Sequence, residues 1–102
     1  MKLSLIEDKY RIARGGYSRM LDIRCRKCNS PLFFYQKDGP GNLRRLYLDR
    51  IIGLKKMKSF SVLKCNKCRE ILGTKYIYPK ERRRAFRLYQ DAVVKKVKRI
   101  KT

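Results

Sequence analysis

Two short stretches, Ile23-Arg24-Cys25-Arg26-Lys27-Cys28-Asn29 and Leu63-Lys64-Cys65-Asn66-Lys67-Cys68-Arg69, hold all four cysteines of this 102-residue chain at one spacing. A two-residue spacer lets a tight turn aim both thiolates of a pair at a common point, so two such pairs supply four soft ligands for one tetrahedral metal ion. Cys25, Cys28, Cys65 and Cys68 are therefore the candidate ligands, with one structural Zn²⁺ as the expected cofactor. In a reducing compartment, matched pairs of this kind read as metal ligands before disulfides.

Outward from the pairs, Met20-Leu21-Asp22-Ile23-Arg24 enters the first and Leu32-Phe33-Phe34-Tyr35-Gln36 leaves it, both with the apolar and aromatic weight of short strands. Phe60-Ser61-Val62-Leu63-Lys64 enters the second and residues 71–78 leave it, with Gly73 expected to mark a bulge or turn. Asp38-Gly39-Pro40-Gly41-Asn42 is a dense turn cluster, which Asp38 is expected to shape. Residues 43–52, which follow that turn, alternate in part through Leu46, Leu48 and Arg50, so turn and strand together predict a hairpin, and residues 53–58 read as a basic loop. Beyond the two cysteine pairs no internal repeat is read, and no linker divides the chain. The expected organisation is a single zinc-stabilised domain over 1–102: residues 1–19 loosely ordered, 20–78 a zinc-knuckle β region, and 80–101 a C-terminal helix.

The helix is inferred from a segment without glycine or proline after Pro79. Ala85, Phe86, Tyr89, Ala92, Val93, Val97 and Ile100 share one side of a 100°-per-residue wheel, and Arg83, Arg84, Arg87, Lys95 and Lys98 the other. That spacing predicts about six amphipathic turns. Glu81 would favour the N-terminus of such a helix, and Asp91 would pair with Arg87 and Lys95 one turn away.

With both cysteine pairs in strand-like flanks, the chain resembles the zinc-ribbon, or two-zinc-knuckle, class of small basic proteins, a resemblance carried by the eight residues of the two motifs. It departs from that class where Asn29 and Arg69 follow the knuckles, positions often held by glycine, and the 36 residues between the pairs exceed a minimal ribbon. The fold class implied is α+β, a small β-rich ribbon-like or knuckle-clamped sheet with the C-terminal amphipathic helix. Four cysteine ligands leave no coordination position for water, so the metal is expected to be structural. Tetrahedral sulfur also suits iron, which keeps a rubredoxin-like electron carrier as a less favoured alternative.

The chain carries 29 Lys plus Arg against 8 Asp plus Glu, a net charge of +21, with no histidine. Residues 1–24 hold six cations against three acids, residues 25–68 eleven against two, and residues 69–102 twelve against three, so the excess lies in the last two segments. Lacking histidine, the chain has no Ser-His or Cys-His machinery, and its few scattered carboxylates form no acid/base pair, so no enzymatic activity and no small-molecule substrate are expected. So large an excess is the electrostatic footprint of a nucleic-acid binder. RNA is favoured over DNA because no motif here would place a recognition helix in a major groove, and small, very basic zinc-knuckle proteins resemble ribosomal components. The expected contacts are Arg44, Arg45 and Arg50, the Lys55, Lys56 and Lys58 loop, and Arg83, Arg84 and Arg87, with Tyr35 and Tyr47 interleaved for stacking. The alternative class is a zinc-stabilised adaptor that holds an acidic protein surface. No run of about 18 apolar residues is present and the apolar start is short, so no membrane partner and a cytoplasmic location are expected.

Overall fold

In the computed structural model, which describes residues 5–53 and 61–98, the flanks of both cysteine pairs are strands. After a short helix α1 (Lys9–Ala13), β1 (Ser18–Cys25) enters the first knuckle and β2 (Pro31–Asp38) leaves it antiparallel. β3 (Arg45–Tyr47), a single 3-10 turn (Leu48–Arg50) and β4 (Ile51–Ile52) follow. β5 (Val62–Lys64) and β6 (Ile71–Tyr78) flank the second knuckle, and β7 (Arg83–Leu88) and β8 (Val93–Lys98) complete the described chain. The strands form two four-stranded sheets, in the orders β4-β2-β1-β8 and β3-β7-β6-β5.

The C-terminal helix is not there. Residues 83–98 form two strands in different sheets, β7 beside β3 and β6, and β8 on β1 with Cys25 opposite Val93. Ala85 and Phe86 sit side by side in the wheel stripe, yet both are buried because they lie mid-strand in β7, one on each face of the sheet between β3 and β6. Tyr89 and Val97, which a packed helix would bury, are exposed. Arg82 and Asp91 take left-handed φ values of 50° and 56°, and these two breaks occur without the glycines that usually announce them. Beyond them, Val93, Val94 and Val97 favour an extended chain. Glu81 has no helix to cap and pairs with Arg14 at 2.8 Å and Arg83 at 3.5 Å. Ile100 lies outside the described residues. Of the hairpin expected across the 38–42 turn cluster, only the far end pairs back on β2, with Ile51 and Ile52 opposite Tyr35 and Phe34. β3 pairs with β7, whereas β4 pairs with β2, and the 3-10 turn passes the chain from one sheet to the other.

Leu21, Ile23, Phe33, Leu46, Leu63, Leu72 and Phe86 fill the core, which reaches the cysteine cluster through Cys25 and Cys65. Each fully buried side chain of this size stabilises the fold by about 1.5–3 kcal/mol. Gly73 lies beside a register shift between Leu63 and Lys64, and a Cβ there would overlap the Arg87 carbonyl of the neighbouring strand.

Register reveals an internal correspondence at an offset of forty residues that extends beyond the two cysteine pairs. Arg24 pairs with Pro31 just as Lys64 pairs with Ile71, each after an equivalent register shift. β2 and β6 are both eight residues long and forty apart. β3 meets β7 with Leu46 opposite Phe86, Arg45 opposite Arg87 and Tyr47 opposite Ala85. Since 46 and 86 differ by forty, the offset maps this strand pair onto itself about an approximate twofold axis, which the sheets break where β6 pairs with β7 but β2 pairs with β4. The counterparts of residues 94–98 fall largely on residues 54–58, outside the described residues.

The described residues of the leading segment are tied to the core through Arg50. This guanidinium, 1% exposed, grips Asp8 with two bonds of 2.6 and 2.9 Å and donates to Asp38 at 2.9 Å. Asp38 does not merely shape a turn. Burial pushes its carboxyl pKa up, but bonds from Ser18, Gln36 and Arg50 outweigh burial and hold it below the ordinary value. Arg50 is also the main cause of a fall in the Asp8 pKa from 3.8 to about 2. A depressed carboxylate pKa stabilises the fold at pH values above the unfolded pKa and loses that effect as pH falls through the folded one. At pH 7 the protein is expected to exceed Asp8→Asn in stability by about 2 kcal/mol at most, since asparagine keeps the helix cap but not the charge. Denaturant unfolding of the two proteins should show this difference shrinking between about pH 4 and pH 2. Metal release at acid pH affects both alike, so the difference isolates Asp8.

Candidate metal centre and basic face

Each knuckle is a turn closed by backbone bonds that the spacing dictates. The Asn29 amide donates to the Cys25 carbonyl at 2.8 Å and the Cys25 amide to Ser30 at 3.1 Å, matched in the second knuckle by Arg69 to Cys65 at 3.0 Å and Cys65 to Glu70 at 2.9 Å. Asn29 and Arg69 hold left-handed φ values of 60° and 67°. The conformation that glycine often provides is therefore kept, at some steric cost for Arg69. Lys27 pairs with Glu70 at 3.0 Å and joins the two turns at the surface.

The four sulfurs lie within 4.8 Å of one another, and Cys25 to Cys68 and Cys28 to Cys65 are each 3.6 Å. A disulfide would need about 2.05 Å. Four sulfurs about 2.3 Å from one ion in a tetrahedron would stand about 3.8 Å apart, close to the spacing seen. Bonds from the Ser30 hydroxyl and amide lower the Cys28 thiol to about 6. At Cys68 the Glu70 amide favours the thiolate, yet burial and the neighbouring sulfurs push the pKa up to about 11. The cluster is able to bind one metal ion and is consistent with a zinc-knuckle-like motif. Cys25 belongs to the first sheet and Cys65 follows the last residue of β5 in the second, so an ion here would join the two sheets.

The arginines expected to contact nucleic acid divide into two groups. Arg50 is enclosed by Asp8 and Asp38, and Arg83, also buried, pairs with Asp49 at 2.8 Å and lies over Tyr47 and Tyr10 at 3.7 and 3.9 Å. Neither is presented to solvent. Arg44, Arg84 and Arg87 are exposed and Arg45 is half-buried. Lys55, Lys56 and Lys58 lie outside the described residues. Tyr35, expected to stack, is a core residue whose hydroxyl accepts the Tyr47 amide at 2.8 Å, and Tyr47 is buried as well.

One face of the β3-β7-β6 sheet is tiled with guanidinium groups and phenol rings. Arg45 lies over Tyr78 at 4.1 Å and donates to the Tyr76 hydroxyl at 3.1 Å, and Arg87 lies over Tyr76 at 4.6 Å. Arg45 and Arg87 are directly opposed across the strand pair. Like charges so placed are destabilising. The face opens into a groove of about 970 Å³ whose wall includes Arg26, Arg44, Arg45, Arg87 and Lys95 against the single acid Asp91. Tyr76 and Tyr78 were not among the sequence candidates. Their signal was the alternating Tyr76-Ile77-Tyr78, which turns both rings to the same side of a strand.

Comparisons with protein-family models, curated proteins and solved structures found no match. Among the described residues no helix is long and apolar enough to cross a membrane.

Proposed function

We propose that this chain is a zinc-stabilised RNA-binding protein, acting on RNA directly or within a ribonucleoprotein such as the ribosome, and not an enzyme. Zinc is the ion that four close sulfurs with no position left for water suit best, and its role is to hold the knuckles together. The observation that carries RNA binding is the Arg45/Arg87 pair lying over Tyr78 and Tyr76 on one open face. Phosphates would relieve the repulsion between these cations, and unpaired bases have the planar surface that tyrosine and guanidinium groups stack against. The +21 charge adds long-range attraction.

Salt titration of single-stranded RNA binding tests this reading. Arg44, Arg45, Arg84 and Arg87, with or without the three lysines of residues 55–58, would make four to seven phosphate contacts. At roughly 0.7 per contact, the slope of log K against log salt should be about −3 to −5. Undetectable binding at about 50 mM salt, or a slope near zero, contradicts it. Capture of an acidic protein with RNA binding absent would replace it with the adaptor reading.

A further inference from the structure

The approximate twofold axis relates the open groove to a second seat that the chain fills itself. Residues 6–14 lie in that seat. The Ile6 amide and carbonyl bond the Gln36 side chain at 2.6 and 2.8 Å, Asp8 is clamped by Arg50, the Tyr10 ring lies 3.9 Å from the Arg83 guanidinium, and Arg14 donates to the Tyr47 hydroxyl at 2.8 Å. The seat is thus formed by Gln36, Tyr47, Arg50 and Arg83. Their counterparts forty residues away are Tyr76, Arg87, Gln90 and Leu43, and all four line the open groove.

What fills the first seat is an anionic group followed by a planar ring, with the anion on a guanidinium and the ring stacked on another. In the counterpart groove the positions of Arg50 and Arg83 are held by Gln90 and Leu43, and the positive charge comes instead from five other Lys or Arg side chains against Asp91, beside the rings of Tyr76 and of Tyr89, which is 48% exposed. We infer that this groove is the seat for an unpaired stretch of RNA, with phosphates on Arg87 and its cationic neighbours and bases against Tyr76 and Tyr89. A duplex fits poorly, because its phosphates can reach the arginines while its bases stay stacked on one another. The inference rests on the RNA-binding reading and narrows it to one groove and to unpaired strand.

Anisotropy titrations of the metal-loaded protein test it, with a fluorescent single-stranded RNA, an RNA duplex of equal length, and a peptide carrying Glu7-Asp8-Lys9-Tyr10 as competitor. Tyr89→Ala should weaken single-strand binding by about fivefold or more while changing duplex binding less than about twofold, as expected for one lost stacked base. Arg87→Glu should weaken both, and the single strand more. Arg84→Glu, on the opposite face of β7, is the charge control and should weaken both RNAs equally. The side chains changed are exposed, and metal content with the circular dichroism spectrum verifies that each variant is folded. RNA binding that survives Tyr89→Ala and Arg87→Glu as well as it survives Arg84→Glu overturns the groove while leaving RNA binding intact. Absence of binding by the unaltered protein overturns the RNA reading itself. Displacement of the single strand by the peptide at comparable concentration would make an acidic protein segment the occupant and overturn the inference.

Discussion

Cys65→Ser is expected to lose the metal ion and, with it, ordered packing of the two sheets at neutral pH. Cys65 is 1% exposed and stands where the core meets the sulfur cluster. Its sulfur and that of Cys28 are 3.6 Å apart, one contribution from each knuckle. Structural zinc in small peptides contributes about 10–16 kcal/mol of apparent binding free energy, and whole domains are stable by only about 5–15 kcal/mol. Losing most of the first therefore exceeds what the core retains. Amide dispersion in a proton–nitrogen NMR spectrum should collapse in Cys65→Ser, and in the unaltered protein under excess chelator, then return on adding zinc to the latter. A fully dispersed spectrum under chelation would mean that the core holds the fold without an ion.

Arg50→Met should destabilise the metal-loaded protein by about 3–5 kcal/mol, the largest effect expected away from the cysteines. Removing the guanidinium leaves the Asp38 carboxylate, 4% exposed on its side chain, without its charge partner. It also frees Asp8, which otherwise holds the start of α1 against the body. A double variant, Arg50→Met with Asp38→Asn, removes the stranded charge and should recover part of the loss. Denaturant midpoints with metal content held constant give the comparison. A loss below about 1 kcal/mol in the single variant would show that Asp8 and Asp38 do not depend on Arg50.

The knuckles were legible because cysteine spacing acts locally. Two intervening residues define a turn, and the flanking Ile23, Phe33, Leu63 and Leu72 mark the strands that deliver it. The C-terminal segment misled because Ala85 and Phe86 satisfy a helical wheel as readily as two adjacent positions of an interior strand, one buried on each face, and only tertiary neighbours distinguish the two. Its turns fall at Arg82 and Asp91, residues that enter left-handed conformation without advertising it. The forty-residue correspondence survives in sequence as scattered identities, among them Lys27/Lys67, Leu32/Leu72, Arg44/Arg84 and Lys55-Lys56/Lys95-Lys96. What is kept is backbone register, which Leu46 and Phe86 serve equally well. The clustering of the four cysteines could be read directly, but the basic face only in part. Arg50 and Arg83 look like surface cations until folding brings Asp8, Asp38 and Asp49 to them, and the rings beneath Arg45 and Arg87 arrive from a strand about thirty residues or ten residues away.

An ion shared by the two cysteine pairs would have a definite stoichiometry of one per chain. Elemental analysis of the purified chain, paired with native mass spectrometry of the same sample, measures that directly. One zinc per chain in a colourless protein with four reduced cysteines is the predicted result. A metal-free chain of the same compactness, or one whose cysteines are joined as disulfides, would contradict it.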